Sequence, residues 1–195
     1  MKTSLNDITP EKLEKGVYKK FSFLAKQVEV SPRTNKMILP ISIQETASQI
    51  LYRKDPKTEK TIIKGVNTSG IDELFSTGDM LSTVLKDVFS DVNIYDNNIR
   101  LLQTPFVSPI SESAISFYKF YLMDTVMVDK HECVHLTFVP QNSQDFGFTG
   151  HLYVLKDSTY AVKRCLMNLP KKSGVNFVEN LDIIQNYEQL SNGQW

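Results

Sequence analysis

Apolar and polar residues alternate with period two along the C-terminal half of the chain. This alternation is typical of strands that bury one face, and it predicts five strands separated by short polar turns. Consecutive strands joined by short turns form an antiparallel meander. The predicted strands are Phe117–Val128, Glu132–Val139, Phe148–Leu155, Tyr160–Leu169 and Val175–Tyr187.

The N-terminal half shows helical spacing in two places. Thr9 is a predicted N-cap, a first-turn proline follows it, and apolar residues then recur at helical spacing as far as Val28. A second amphipathic helix is predicted from about Gly78 to Phe89. Between them, Ile41 to Arg53 and Thr61 to Val66 are two predicted short strands.

A sheet with one apolar face needs another layer over that face, and the amphipathic helices can provide it. The expected fold is therefore α+β: a curved antiparallel sheet, half-barrel-like, covered by two or three helices. A chain of 195 residues without repeat or linker predicts one domain, 1–195. Within it we expect a helical lead-in (1–35), short strands plus a helix (36–112) and the meander (113–195).

Charge and hydropathy exclude several classes of partner. The 22 basic and 22 acidic residues cancel, so the chain lacks the basic footprint of a nucleic-acid-binding protein. No apolar run approaches the roughly 20 residues of a membrane helix, so no transmembrane segment is expected. No apolar stretch follows Lys2, so we do not expect a secretory signal at this end.

One segment, His131-Glu132-Cys133-Val134-His135, matches the H-E-x-x-H motif of zinc proteases. That motif works on a helix, where one turn separates two histidines that bind the same zinc ion. Here the surrounding residues alternate with period two, and on a strand the two histidines would stand about 13 Å apart. The match therefore predicts a strand and no zinc-protease site.

The third histidine, His151, lies on the next predicted strand. If residues 141–145 form the turn, Val139 faces Gly147 and His135 faces His151, with both histidines on the more polar face of the sheet. The His135–His151 pair could hold a metal ion, but two ligands are a weak set. The alternative is two partly exposed imidazoles, and we predict no metal site.

The same reasoning separates the two cysteines. A tight turn at residues 156–159 would place Cys165 opposite Gly150, on the face away from Cys133. A strand would then lie between the sulfur atoms, beyond the roughly 7 Å Cα separation that a disulfide allows. We therefore expect two free thiols.

No other catalytic signature is present. The chain has no phosphate-binding glycine loop, no nucleophile elbow and no C-x-x-C motif. Five acidic residues considered as candidate acids or ligands are dispersed along the chain: Glu45, Asp79, Asp96, Glu112 and Asp124. We expect no catalytic residue, no cofactor and no enzymatic activity.

Several ordered segments resemble a family of uncharacterised outer-membrane proteins of Bacteroidetes-type bacteria. The matching stretches run through most of the chain, and they include Tyr52–Pro56, Asn93–Asn97, Phe106–Ile110, Tyr118–Asp124 and Phe148–Gly150. In that family a carboxypeptidase-regulatory-like β-sandwich precedes a domain of unknown function, and a membrane barrel usually follows. The expected architecture is also similar to the lipoprotein-carrier half-barrel, in which a curved sheet shelters an apolar cavity.

The resemblance implies a periplasmic location associated with the outer membrane. It favours a non-enzymatic module that binds a protein, lipid or glycan partner, such as an outer-membrane or periplasmic protein or a lipoprotein. One alternative is a structural spacer between the β-sandwich and the barrel. The other is a metal-dependent hydrolase using His135 and His151, which would require three or more converging ligands.

Overall fold

The computed structural model describes residues 2–15, 24–31, 35–53, 55–70, 92–101, 104–170, 180–191 and 193. The chain divides into two compact units, Met1–Phe89 and Ser90–Trp195. This division does not test the expectation of a single domain, which stays a prediction. No helix among the described residues is long and apolar enough to cross a membrane.

The first unit contains four strands and one short helix in its described part. The elements are β1 (Lys2–Asn6), α1 (Pro10–Leu13), β2 (Glu29–Val30), β3 (Met37–Arg53) and β4 (Thr58–Gly70). All strand pairs are antiparallel: β3 pairs with β1, β2 and β4. Leu24 and Leu39 are buried here and form a small core with Ile8, Ala25 and Val28.

The predicted N-terminal helix is wrong in its length. Its start is as expected, because the Thr9 side chain accepts a hydrogen bond from the Lys12 backbone N–H at 3.3 Å and caps α1. The helix ends at Leu13, and residues 24–27 form a separate 3₁₀ turn. Leu24 packs against Leu39 of β3, so its spacing reflects contact with a strand. The predicted helix from Gly78 to Phe89 lies outside the described residues.

The second unit contains seven strands and one short helix in its described part. Its elements are β5 (Asn98–Leu101), β6 (Thr104–Val107), α2 (Ala114–Phe117), β7 (Tyr118–Val128), β8 (His131–Pro140), β9 (Thr149–Leu155), β10 (Val162–Pro170) and β11 (Asn180–Asn186). Strands β7 to β11 form one sheet in the order β11-β10-β9-β8-β7, which is the predicted antiparallel meander. Strands β5 and β6 form a separate hairpin.

The main core lies on the sheet face that carries Phe138 and Leu152. Residues from the β5–β6 hairpin, the segment before it and the start of α2 cover this face: Ile94, Ile99, Leu101, Phe106 and Ala114. Tyr118 is buried at its centre, donates from its hydroxyl to the Val107 carbonyl at 2.7 Å, and accepts from the Phe148 N–H at 3.3 Å. A hairpin therefore provides the second layer of this unit.

The α+β prediction is wrong. Among the described residues the protein is mostly β, with several antiparallel sheets and helices of only four residues. The error has a physical cause: a sheet face needs a complementary apolar layer, but a hairpin can supply that layer as well as a helix. The structure gives no support to a half-barrel covered by helices.

Candidate functional site

The H-E-x-x-H segment lies on β8, as predicted, so His131 and His135 belong to an extended strand. Glu132 points away from the histidines and pairs with Lys156, with a distance of 2.9 Å between Nζ and Oε1. His131 Nδ1 lies 2.9 Å from the Asp129 carbonyl oxygen at the β7–β8 turn. The geometry of a helical zinc-protease site is absent from this strand.

The predicted β8–β9 register is wrong by two residues. His135 pairs with Tyr153 and Thr137 pairs with His151, whereas direct pairing of the histidines was expected. The cause is the connection, in which Gly147 and Phe148 do not join the ladder. Phe148 is instead fully buried against Phe106, with ring centroids 5.3 Å apart. A shift of two residues keeps every side chain on its predicted face.

The two histidines nevertheless meet, because diagonal neighbours on one sheet face are within reach of long side chains. His135 Nε2 lies 2.9 Å from His151 Nδ1. The ring of His135 also stacks on Tyr153, with centroids 4.6 Å apart and an interplanar angle of 5°. The His135 side chain is only 16% exposed, so its ring orientation is fixed by its neighbours.

Asp124 completes this cluster. A β-bulge lies between Leu122 and Thr125, so two residues of β7 oppose His135 alone. Asp124 Oδ1 accepts a hydrogen bond from His135 Nδ1 at 3.0 Å. The proton held at Nδ1 leaves the lone pair of His135 Nε2 directed at His151.

Asp124, His135 and His151 therefore form a hydrogen-bonded chain, which we call the Asp–His–His chain. Burial and, secondly, the charge of His135 lower the pKa of His151 from its ordinary 6.5. Among the described residues, no group of three or more His, Cys, Asp or Glu side chains converges on a point that could hold a metal ion. The Asp–His–His chain thus supplies two imidazole nitrogens and a carboxylate that orients one of the two rings.

Sequence reasoning identified His135 and His151 as neighbours but missed the role of Asp124. It placed Asp124 among dispersed acids because a bulge leaves no signature in the alternation of apolar residues. Tyr153 was also missed, because the predicted register placed it opposite Cys133 and not opposite His135. The direct pairing partner of His135 follows from the true register.

Both cysteines are free, as expected, and both are also buried. Cys165 pairs with Leu152 rather than Gly150, again two residues from the predicted register. Cys133 packs with Val128 and Leu155 on the other face of the sheet. Burial raises the pKa of the Cys165 thiol to about 12 and also raises the pKa of Cys133. Neither thiol is accessible to solvent in the way that a reactive cysteine is.

The first unit has a different feature, the hairpin of β3 and β4. Residues 45–53 of β3 pair only with β4 among the described strands, and β4 pairs only with β3. Both outer edges therefore present backbone groups without a neighbouring described strand. Large apolar side chains along this hairpin are exposed: Ile50, Leu51, Tyr52, Ile63 and Val66.

These features define a β-rich protein with a polar histidine cluster on one sheet and an open apolar hairpin in the other unit. The chain belongs to a family of unknown function (DUF5686), whose model matches residues 9–195. No curated protein and no solved structure matches the chain. The predicted domain of unknown function is confirmed by this match.

Proposed function

We propose that the chain is a non-enzymatic module that binds a protein partner through the β3–β4 hairpin. In this proposal it works in the periplasm, on behalf of an outer-membrane protein. The observation that carries the binding role is the exposure of large apolar side chains on a hairpin whose outer edges have no neighbouring strand in the described part of the chain. The location and the Bacteroidetes-type origin rest on the sequence resemblance alone.

The apolar side chains lie on both faces of the hairpin. Ile63 pairs with Ser48, and Ile50 lies diagonally from it on the same face at exposures of 63% and 60%. Leu51 lies on the opposite face and is 48% exposed. Exposed apolar side chains grouped in this way mark interaction surfaces, because burying their apolar area against a partner is energetically favourable.

The open edges favour a protein over a lipid partner. An extended segment can add to an unpaired strand edge and form main-chain hydrogen bonds, and alternate side chains then give specificity. In hydrocarbon the same backbone groups would lose their hydrogen bonds to water at a cost of several kcal/mol each. A lipid or lipoprotein partner sheltered under helices has no support in the described residues, which show no helices covering a sheet.

Charge narrows the partner further. Residues 50–66 contain five basic residues (53, 54, 57, 60 and 64) against two acidic ones (55 and 59), which gives +3, whereas the whole chain is neutral. Pairing of two identical hairpins would bring like charges together. The hairpin therefore fits an acidic protein segment better than a second copy of this chain.

Site-specific crosslinking tests this proposal. A photo-crosslinking amino acid at position 63 is expected to capture one acidic protein in cells, and the same substitution at exposed Ile115 serves as the control. The purified partner should protect β4 backbone amides from hydrogen exchange. Lys60→Glu with Lys64→Glu should weaken its binding at low salt more than at high salt.

Three other outcomes would contradict the proposal. Crosslinks to the protein itself would show a homo-oligomer. Sedimentation of the chain with phosphatidylglycerol vesicles, lost in the Lys60→Glu, Lys64→Glu variant, would show a membrane surface as the partner. Equal crosslinking from positions 63 and 115 would show that the hairpin is not a specific surface.

The spacer and the metal-dependent hydrolase have no observation in their favour. A hydrolase of the expected kind requires three or more ligands, and the described residues bring only two imidazole nitrogens together. The absence of catalytic activity stays a prediction.

A further inference from the structure

We propose that His135 and His151 form a binding site for a divalent transition-metal ion of the zinc and copper class, with Asp124 orienting His135. This site lies in the second unit and does not depend on the proposed role of the β3–β4 hairpin. Water or a partner's side chain would occupy the remaining coordination positions.

The distance between the nitrogens supports a bidentate site. Two imidazole nitrogens bound to one tetrahedral zinc ion at about 2.0–2.1 Å stand roughly 3.3–3.4 Å apart. His135 Nε2 and His151 Nδ1 are 2.9 Å apart and face each other, so the His151 ring must turn aside, by roughly 2 Å at Nδ1, to admit the ion. Both rings lie on the same sheet face, and the exposed His151 ring can make this movement.

Asp124 supplies the feature that distinguishes a metal site from two adjacent histidines. Metal-binding histidines usually donate their second N–H to a carboxylate or carbonyl, which fixes the tautomer and the ring orientation. Asp124 accepts this bond from His135 Nδ1 at 3.0 Å, and Tyr153 stacks on the same ring. The Nε2 lone pair of His135 is therefore oriented toward the proposed ion before binding.

The proton balance is simple at neutral pH. His135 keeps its proton at Nδ1 and offers Nε2. Before the ion binds, His151 Nδ1 donates its proton to His135 Nε2. When the ion binds, His151 changes tautomer: it carries its proton at Nε2 and offers Nδ1 to the ion. A neutral His151 is required, because only an unprotonated imidazole nitrogen can bind the ion.

The proposed ion belongs to the borderline class because imidazole nitrogen suits Zn²⁺, Cu²⁺ and Ni²⁺, whereas Mg²⁺ and Ca²⁺ prefer oxygen ligands. Affinity should follow the general order for divalent ions, with Cu²⁺ bound more tightly than Ni²⁺ or Zn²⁺. Mg²⁺ serves as the negative control.

Isothermal titration calorimetry of the full chain with Zn²⁺ and Cu²⁺ at pH 7.5 tests the site. One ion per chain is expected, with binding lost at pH 5 as the histidines protonate. His151→Ala should weaken binding by about tenfold or more, and Asp124→Ala by roughly 10–100-fold. His131→Ala is the matched control, since His131 lies on the same strand and outside the pair, and it should bind as the wild type does.

A second measurement separates metal binding from folding. Cu²⁺ should broaden the NMR signals of His135, His151 and Tyr153 before those of His131. The unfolding temperature of the wild type should rise with Zn²⁺ concentration, and that of His151→Ala should not. Equal weakening by His131→Ala and His151→Ala, or no heat with either ion, would overturn the proposal.

Discussion

Gly150 lies in β9 where its neighbours leave no space for a side chain. A Cβ atom at this position would overlap the backbone carbonyl oxygen of Leu166 and lie 3.0 Å from Phe138 Cζ. Backbone in the adjacent strand cannot rotate away as a side chain can. Gly150→Ala should therefore separate β9 from β10 locally and destabilise the second unit by about 1–3 kcal/mol, the usual range for overpacking.

The matched control is Gly65→Ala in β4. An added Cβ there would meet no atom within 4 Å, so the substitution introduces no overlap. The smaller backbone freedom of alanine in the unfolded chain should leave Gly65→Ala as stable as the wild type, or more stable by about 0.4–1 kcal/mol. Two substitutions of identical chemistry should thus have opposite effects.

Urea unfolding followed by circular dichroism measures the free energy of unfolding for both variants. The displacement of β9 should also reach the neighbouring residue, so the NMR signals of His151 and His135 should shift in Gly150→Ala and not in Gly65→Ala. A Gly150→Ala variant within about 0.5 kcal/mol of the wild type would refute the reasoning.

Three further predictions concern buried and titrating groups. Ser108→Ala should lower the free energy of unfolding in urea by about 1–3 kcal/mol, because the buried Ser108 hydroxyl donates a hydrogen bond to the Ile94 carbonyl. Ser116 is exposed, so Ser116→Ala should change the free energy of unfolding little, and equal effects of the two substitutions would contradict this assignment. Ellman's reagent should react with neither Cys133 nor Cys165 in the native protein and with both in urea. A rapid reaction with the native protein would contradict the burial of these thiols. An NMR titration should give His151 a pKa below 6.5. Between the pKa of His151 in the folded chain and its higher pKa in the unfolded chain, the unfolded chain binds more protons. The His151 contribution to the free energy of unfolding therefore falls as the pH drops through this window. The difference between wild type and His151→Gln, measured by urea unfolding from pH 7.5 to pH 5, should show this sign, and an increase toward acid pH would contradict it.

Much of the second unit could be predicted from the sequence because one face of its sheet is buried. The alternation of apolar residues gave the five strands and their order, and assigned Cys133 and Cys165 to opposite faces. It could not give the register to better than two residues, since a two-residue shift leaves the pattern unchanged. The burial of Phe148 by the β5–β6 hairpin decides between the two registers, and that is a tertiary contact.

The bulge in β7 shows a second limit. Tyr118, Phe120, Val126 and Val128 are all an even number of residues apart, so a regular strand would place them on a single face. The extra residue reverses the alternation, so Tyr118 and Phe120 pack in the main core whereas Val126 and Val128 pack with Cys133 on the other face. The same extra residue brings Asp124 to His135.

The length of the N-terminal helix was predicted wrongly because helical spacing does not by itself determine a helix. The cap at Thr9 was correct, and it is a local interaction that the sequence specifies directly. The contact of Leu24 with Leu39 is not local, and it accounts for an apolar residue that the spacing had assigned to a continuing helix.

The order of strands in the meander has a consequence for how the second unit folds. Each of β7 to β10 pairs with the strand that follows it in sequence, so every ladder closes a short loop. Short loops cost less entropy to close than the long crossovers of Greek-key sheets, and folding rates rise as the mean sequence separation of contacts falls. We therefore expect the meander to form hairpin by hairpin and faster than most β-sandwiches of its size. The covering hairpin, which is complete before β7 begins in sequence, is available to each new strand as it pairs.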